Sequence, residues 1–254
     1  MNRISHIALA GLVLAVAACS DMATPTGAET PSLGKDGTGQ GNPGLLFNGV
    51  DANTSTPANT VITQQIADVS IDVTVKFLGA NAANAHQTLF YNGNGAVTGW
   101  GILILGEADG FPTGTISYLA GGLTIVPTGF TLREGKWDHL RMTRDADQRV
   151  TFTFNDSTVD LGLLPARAID PAGDPGHFGR DDHTSVGGDG TFNAPTGSFN
   201  GVIDDLIVTD LTTGNLIDRW KFDEGSGPTA TGQNGNVLTL GTTQWIRHGD
   251  AAKL

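Results

Sequence analysis

Between Ile71 and Phe77 the chain reads IDVTVKF, with Ile71, Val73, Val75 and Phe77 at one parity and Asp72, Thr74 and Lys76 at the other. The stretch RVTFTFND, Arg149 to Asp156, repeats the pattern with Val150, Phe152 and Phe154. A period of two belongs to strands with one face in a core and one toward water, so both segments are predicted as half-buried antiparallel strands. Shorter apolar runs predict further strands near residues 86–91, 98–105, 113–119, 136–144, 198–209, 215–223 and 236–246. The turns between them carry Gly, Asn and Asp, as in YNGNG and EADG, residues that accept the backbone angles of tight turns. No segment holds a helical period over a convincing length. Many short strands separated by turn residues predict an all-β chain, folded as a single antiparallel β-sandwich over residues 45–254.

Two N-terminal regions fall outside that pattern. Ile7 to Ala18, IALAGLVLAVAA, is an unbroken apolar run of twelve residues behind Arg3. It is shorter than the ~20 residues a helix needs to cross a bilayer. With its basic flank it reads as a secretory signal peptide over residues 1–18. The residues VAAC, Val16 to Cys19, resemble the lipobox of bacterial lipoproteins. That resemblance implies that Cys19 is lipidated and becomes the mature N-terminus. Ser20 follows it, not the aspartate associated with inner-membrane retention, which implies an outer-membrane destination. Residues 19–44 hold almost no large apolar side chain and cannot offset their ordering entropy by burial. They are expected to form a disordered tether with a reach of roughly 25–30 Å.

Composition narrows the picture further. Cys19 is the only cysteine, so no internal disulfide is available and the core alone must hold the fold. A domain of this size can bury ~70% of its unfolded surface. The formal net charge is −12, and an acidic chain is repelled by nucleic acid and by anionic headgroups. Nucleic acid is therefore excluded as the main partner, and membrane contact is expected through the lipid anchor alone. Glycine occurs 36 times, about twice the usual ~7%, as a turn-dense β-fold requires.

GKWDHLRMTRDADQRVTFTFND, from Gly135 to Asp156, and GSFNGVIDDLIVTD, from Gly197 to Asp210, resemble the laminin G-like, concanavalin A-like jelly-roll family. In that family a W-x-H-hydrophobic strand precedes a hairpin, and F-N-G-x-I-D-[DE] opens a late strand. Trp137 and His139 fill the first pattern; Phe199, Asn200, Gly201, Ile203, Asp204 and Asp205 fill the second. The segments beginning LLFNG and VSIDVTVKF look like its early strands, so the resemblance covers about residues 45–248. It implies a jelly roll. It also implies a binding or adhesion module for glycan or protein, although this fold carries lectins, accessory domains and enzymes alike. A structural envelope protein with no small ligand and a divergent polysaccharide-active enzyme are the alternatives. One feature departs from the family. WKFDEGSGPTATGQNGNVLTLGTTQW, Trp220 to Trp245, resembles the family's first element but stands last. A circular permutation explains this, and predicts that Leu216 to Asp223 pairs inside a sheet and that Leu45 lies near Trp245.

Catalytic patterns are missing. Asp223 and Glu224 are adjacent, so on a strand they point to opposite faces, whereas retaining glycoside hydrolysis needs two carboxyls ~5–5.5 Å apart on one face. There is no E-x-D-x-x-E run, and EGSGP lacks the spacing of a nucleophile elbow. No catalytic residue is assigned. In VIDDL, Asp204 shares parity with Val202, Leu206 and Val208, and Asp205 with Ile203 and Ile207. One carboxylate is thus predicted to point inward among apolar neighbours, where it needs a partner. Arg219 is one such partner and calcium is the other. A structural Ca²⁺ would be held by Asp204, Asp205, Asp223 and Glu224, with carbonyls from turns such as GQNGN. The segment Gly173 to Gly190 gathers Asp174, His177, Asp181, Asp182, His183 and Asp189. Its spacing matches no zinc or EF-hand pattern, so it reads as a solvated loop. Tyr91, Trp100 and Tyr118 lie outside the family motifs and are the candidate rings for stacking on a sugar, while Trp137 and Trp220 are predicted to be core.

Overall fold

The computed structural model describes residues 43–50, 54–55, 68–82, 84–92, 100–120, 124–164, 177–178, 197–247, 250 and 254. The expected signal peptide, Cys19 and nearly all of the expected tether lie outside them. Among the described residues there are sixteen strands, numbered here along the chain and paired antiparallel into two sheets. Sheet I runs β10 (Ser157–Leu163), β9 (Arg149–Phe154), β8 (Trp137–Arg144), β3 (Val69–Phe77), β12 (Asn200–Asp210), β1 (Pro43–Asn48) and β16 (Gln244–Arg247), with β13 (Asn215–Trp220) also on β12. Sheet II runs β14 (Thr229–Thr231), β15 (Val237–Leu240), β2 (Thr54–Ser55), β11 (His177–Phe178), β4 (Gln87–Asn92), β5 (Trp100–Leu105), β6 (Thr115–Ala120) and β7 (Thr124–Thr131).

One apolar core lies between the sheets. Sheet I supplies Leu45, Ile71, Val73, Val75, Leu140, Met142, Ile203, Leu206 and Trp220; sheet II supplies Phe90, Ile102, Ile104, Ile116 and Leu238. The alternation in IDVTVKF therefore marks the inner face correctly. Its polar parity is not the solvated face expected, however: Ser70, Asp72, Thr74 and Lys76 are each at most 5% exposed. β3 is central, and the side chains of its neighbours lie over it. Asp72, for example, is gripped by His139 and Arg141 of β8.

The F-N-G motif is a joint between elements. Phe199 packs against Phe47 and Phe77, with ring centroids at 6.0 and 6.5 Å. The Asn200 N–H donates to Gln87 Oε1 at 2.8 Å, and its Nδ2 donates to the Ala80 carbonyl at 2.9 Å, closing the loop after β3. Gly201 lies under the Phe199 ring: a Cβ there would sit 2.5 Å from that ring and 2.6 Å from the Lys76 carbonyl. Only glycine fits such an approach.

Most predicted strands appear, with three differences. The expected strand 236–246 is two strands, β15 in sheet II and β16 in sheet I, because the chain crosses between sheets at Gly241–Thr243. β7 and β10 are edge strands whose residues are mostly exposed, so their few apolar positions mark no buried face. β1 begins at Pro43, so the last two residues of the expected tether are already paired in a sheet. The neighbours expected from the permutation are in place. Leu45 and Trp245 are register partners. β13 pairs with β12 from Leu206 to Asp210, on the side where β1 covers Asn200 to Ile203. The strand ends at Trp220, earlier than the expected Asp223.

Candidate functional site

The acids of VIDDL do not follow strict alternation. Along β12, Ile203 faces Val75 and Leu206 faces Val73, which leaves Asp205 as an extra residue. This is a β-bulge, and Asp205 adopts a left-handed backbone with φ 47°. Because Ile203 and Leu206 both enter the core, the inserted residue restores apolar parity and spares either carboxylate an inward position. That corrects the expectation of one acid among apolar neighbours. Asp205 accepts two hydrogen bonds from Arg219, from Nε and Nη2, each 2.7 Å. The pair is largely buried, the two side chains being 12% and 10% exposed. Of the two partners left open, Arg219 is the one found. Asp204 Oδ1 accepts the Asp205 N–H at 2.9 Å.

Asp218, next to Arg219, is fully buried and fixes a turn. It accepts N–H bonds from Arg219 at 2.7 Å, from Asn234 and Asn236 at 2.9 Å each, and from Asn236 Nδ2 at 2.8 Å. A Cβ on Gly232 would run into this carboxylate. Four donors around one buried carboxylate explain the GQNGN turn without a metal.

Beyond Trp220 the chain leaves the sheet. Phe222 takes a left-handed backbone, φ 53°, and turns its ring into the core. Lys221, Asp223 and Glu224 are left at the surface. Glu224 Oε1 accepts the Thr231 N–H at 2.6 Å, and the Gln233 N–H donates to the Arg219 carbonyl at 2.9 Å. Two chain arms are thereby tied to each other around an open cavity of about 450 Å³, with Arg219, Lys221, Phe222, Asp223 and Glu224 on one side and Thr231 and Gln233 on the other. Partial desolvation raises the Asp223 carboxyl above its ordinary value; Lys221 acts against this, and Asp204, Glu224 and Asp205 add to it.

The four expected calcium ligands do not assemble into one set. Asp205 is taken by Arg219, and Glu224 holds the Thr231 amide. Among the described residues no group of three or more His, Cys, Asp or Glu is placed to hold a metal ion.

The expected sugar-stacking rings are corrected too. Tyr91, Trp100 and Tyr118 are 0%, 4% and 0% exposed, so none offers a face to a ligand. Trp100 and Tyr118 lie in the main core, and Tyr91 packs with Leu103, Leu105 and Leu119 in a second cluster. Burial pushes the Tyr118 phenol up to about 12, offset in part by Arg144. Trp220 is core as expected, but Trp137 is not. It is half-buried on the outer parity of β8 with His139 and Arg141. There Asp72 bonds His139 Nε2 at 2.8 Å and Arg141 Nε at 2.6 Å. The alternation of Trp137, His139 and Arg141 is the signal that would have revealed this polar row. Lys221, Thr231 and Gln233 had no such signal, because two turn arms bring them together. Of the segment Gly173 to Gly190 only His177–Phe178 is described, and its backbone pairs with β2 and β4.

No family model matches the chain, and no curated protein does. Solved structures do resemble it. A Bacteroides ovatus protein, provisionally described as carbohydrate-binding, aligns with TM-score 0.57 and 14% identity over 82% of this chain and 60% of its own. Domains LG4-5 of the mouse laminin α1 chain align with TM-score 0.51 and 11% identity over 81% of this chain and 47% of their own. This chain thus spans only part of either relative's length. At such identities the likeness establishes the fold: a laminin G-like, concanavalin A-like β-sandwich.

Proposed function

We propose that this chain is a non-enzymatic binding module for glycan or protein, tethered to the bacterial outer membrane through a lipid on Cys19. The cavity between the 219–224 arm and the 231–233 arm carries the reading. Concave sites of ~300–1,000 Å³ with a few preset polar groups are where proteins take small ligands, and this one measures about 450 Å³. Its walls are preset by the Arg219–Asp205 pair, the Glu224–Thr231 bond and the Gln233–Arg219 bond. The residues lining it are mostly polar or charged, and its one aromatic residue, Phe222, is only 2% exposed and offers no stacking surface. That mixture suits a hydroxyl-rich ligand, so a glycan is favoured over an apolar peptide. The fold shared with a provisionally carbohydrate-binding protein supports the same choice.

The test uses the full chain carrying Cys19→Ala on a glycan array, beside the same chain with Thr231→Val and Gln233→Ala. Specific glycan signals lost in the double variant are the expected result. Glycan signals that ignore the double variant move binding elsewhere, and an array with no signal above background overturns the glycan reading. Fractionation tests the anchor: the native chain should sediment with outer membranes and the Cys19→Ala chain should not. A variant that still sediments removes the lipid from the account.

A further inference from the structure

We propose that the outer face of sheet I along β8 is a second carbohydrate surface, which takes an internal stretch of an uncharged linear polysaccharide. It is separate from the 219–233 cavity and does not depend on it.

β8 carries Trp137, His139, Arg141 and Thr143 in a line on its outer parity, each half-buried. Asp72 of β3 is the register partner of Arg141, and Thr74 that of His139. The Asp72 carboxylate, itself 5% exposed, accepts from Arg141 Nε at 2.6 Å and from His139 Nε2 at 2.8 Å. One buried acid thus fixes both side chains before any ligand arrives, which lowers the ordering cost of binding. Because that contact uses Nε, the far side of the guanidinium stays open. Among the described residues, neither terminal nitrogen of Arg141 nor Nδ1 of His139 forms a hydrogen bond. The two side chains are 35% and 23% exposed. Arg141 therefore presents unused N–H donors. His139, with its proton on Nε2 toward Asp72, presents an acceptor at Nδ1. Trp137 ends the line with a half-buried ring, whereas Trp100 and Trp220 are 4% and 0% exposed. Donors, an acceptor and an aromatic face are what the hydroxyls and C–H faces of sugar rings engage.

Charge and length choose the occupant. Asp72 cancels Arg141 and a neutral His139 adds nothing, so the line offers no net charge to an ionic ligand. The chain as a whole carries −12, which repels acidic polysaccharides. An extended peptide would need a free strand edge, and β8 is paired on both sides, with β3 and β9. Along a strand, Trp137 and Arg141 are separated by about 14 Å. A single sugar ring cannot touch both, so the ligand is a chain of several units.

Calorimetric titration of the full chain carrying Cys19→Ala tests this with linear hexamers of β-1,4-glucose, β-1,3-glucose and β-1,4-mannose, their dimers, and polygalacturonate as the acidic contrast. At least one neutral hexamer should bind about tenfold tighter than its dimer. Trp137→Ala should weaken that hexamer about fivefold or more. Arg141→Lys keeps a charge against Asp72 but gives up the fork, and should weaken it by a similar factor. Thr231→Val with Gln233→Ala should leave it unchanged. Emission guards against a mere folding defect: saturation with the hexamer should shift tryptophan fluorescence in the unsubstituted chain and not in Trp137→Phe. If no neutral hexamer binds, the proposal is overturned, and the cavity still stands or falls by its own array test. Equal affinity for hexamer and dimer, or tighter binding of polygalacturonate, overturns it as well. So does unchanged emission at saturation, or a loss in the cavity double variant while Trp137→Ala binds normally.

Discussion

The two halves of β12 follow different rules. From Asn200 to Ile203 the strand keeps its parity, and each motif residue has one identifiable task. Asn200 closes the neighbouring loop, Gly201 makes room for a ring, and Ile203 enters the core. From Leu206 to Asp210 the same strand runs one residue out of step with β3. Here β13 replaces β1 as neighbour, and the inserted Asp205 reaches across to Arg219. An undisturbed strand gives each residue a face. A bulged one frees a residue from that rule and re-aims it, which is why the cavity lies beside the second half and not the first.

Removing the partner of the second half is the severest way to break the comparison. A chain ending at Asp210 loses β13, β14, β15 and β16, and with them the buried Trp220, Phe222, Ala230, Leu238 and Leu240. It also leaves β12 half-unpaired and the core open. The whole domain is expected to unfold, read as loss of a cooperative melt. A soluble fragment that still melts cooperatively would mean that the first half of β12 and its partners form an independent fold.

Next in size is the bulge itself. Replacing Arg219 by methionine strands Asp205 in a largely buried place, at a cost of about 3–5 kcal/mol. Adding Asp205→Asn should return part of that loss, since the stranded charge is then gone. A double-mutant cycle measures the coupling. Equal losses in the single and double variants would show that the pair does not hold the bulge. In the first half, Gly201→Ala forces a methyl against Phe199 and the Lys76 carbonyl. Overpacking of this kind costs about 1–3 kcal/mol. Phe199→Leu beside it should recover some stability if the ring is the obstacle, and none if the carbonyl is.

These differences also mark what was legible in the sequence. The sandwich was readable because period two survives wherever a strand is regular, as in β3, β9 and the first half of β12. The family motifs were readable because Phe199, Asn200 and Gly201 act locally. Parity counting failed at Asp205, since counting assumes that no residue is inserted. It failed for Trp137 through an assumption about tryptophan, although its spacing from His139 and Arg141 was visible. Tyr91, Trp100 and Tyr118 were misplaced because a ring in a strand of sheet II is buried on either face: two belong to the main core and one to a second cluster. The cavity was out of reach, because its two arms meet only after Asp218 has gathered the 232–236 turn.

The smallest expected effect separates two acids that look alike in sequence. Asp205 lies in the bulge with a cation of its own, and its conversion to asparagine weakens the Arg219 pair and destabilises. Asp223 lies eighteen residues on, at the cavity rim, with its carboxyl raised above the ordinary 3.8 by desolvation and by Asp204, Glu224 and Asp205. A carboxyl whose folded value exceeds its unfolded one makes folding less favourable once it ionises. At neutral pH Asp223→Asn removes that disfavoured charge and should raise the melting temperature. Below 3.8 the carboxyl is protonated in both states and the difference should vanish. The gain should therefore develop as pH rises from 3.8 through the raised value. Asp223 is exposed, so solvent screening keeps the gain below about 1 kcal/mol, and added salt should shrink it. Parallel melts of Asp205→Asn and Asp223→Asn across that range should shift in opposite directions at neutral pH. Shifts of the same sign would mean that the rim acid is held by a partner in the way the bulge acid is.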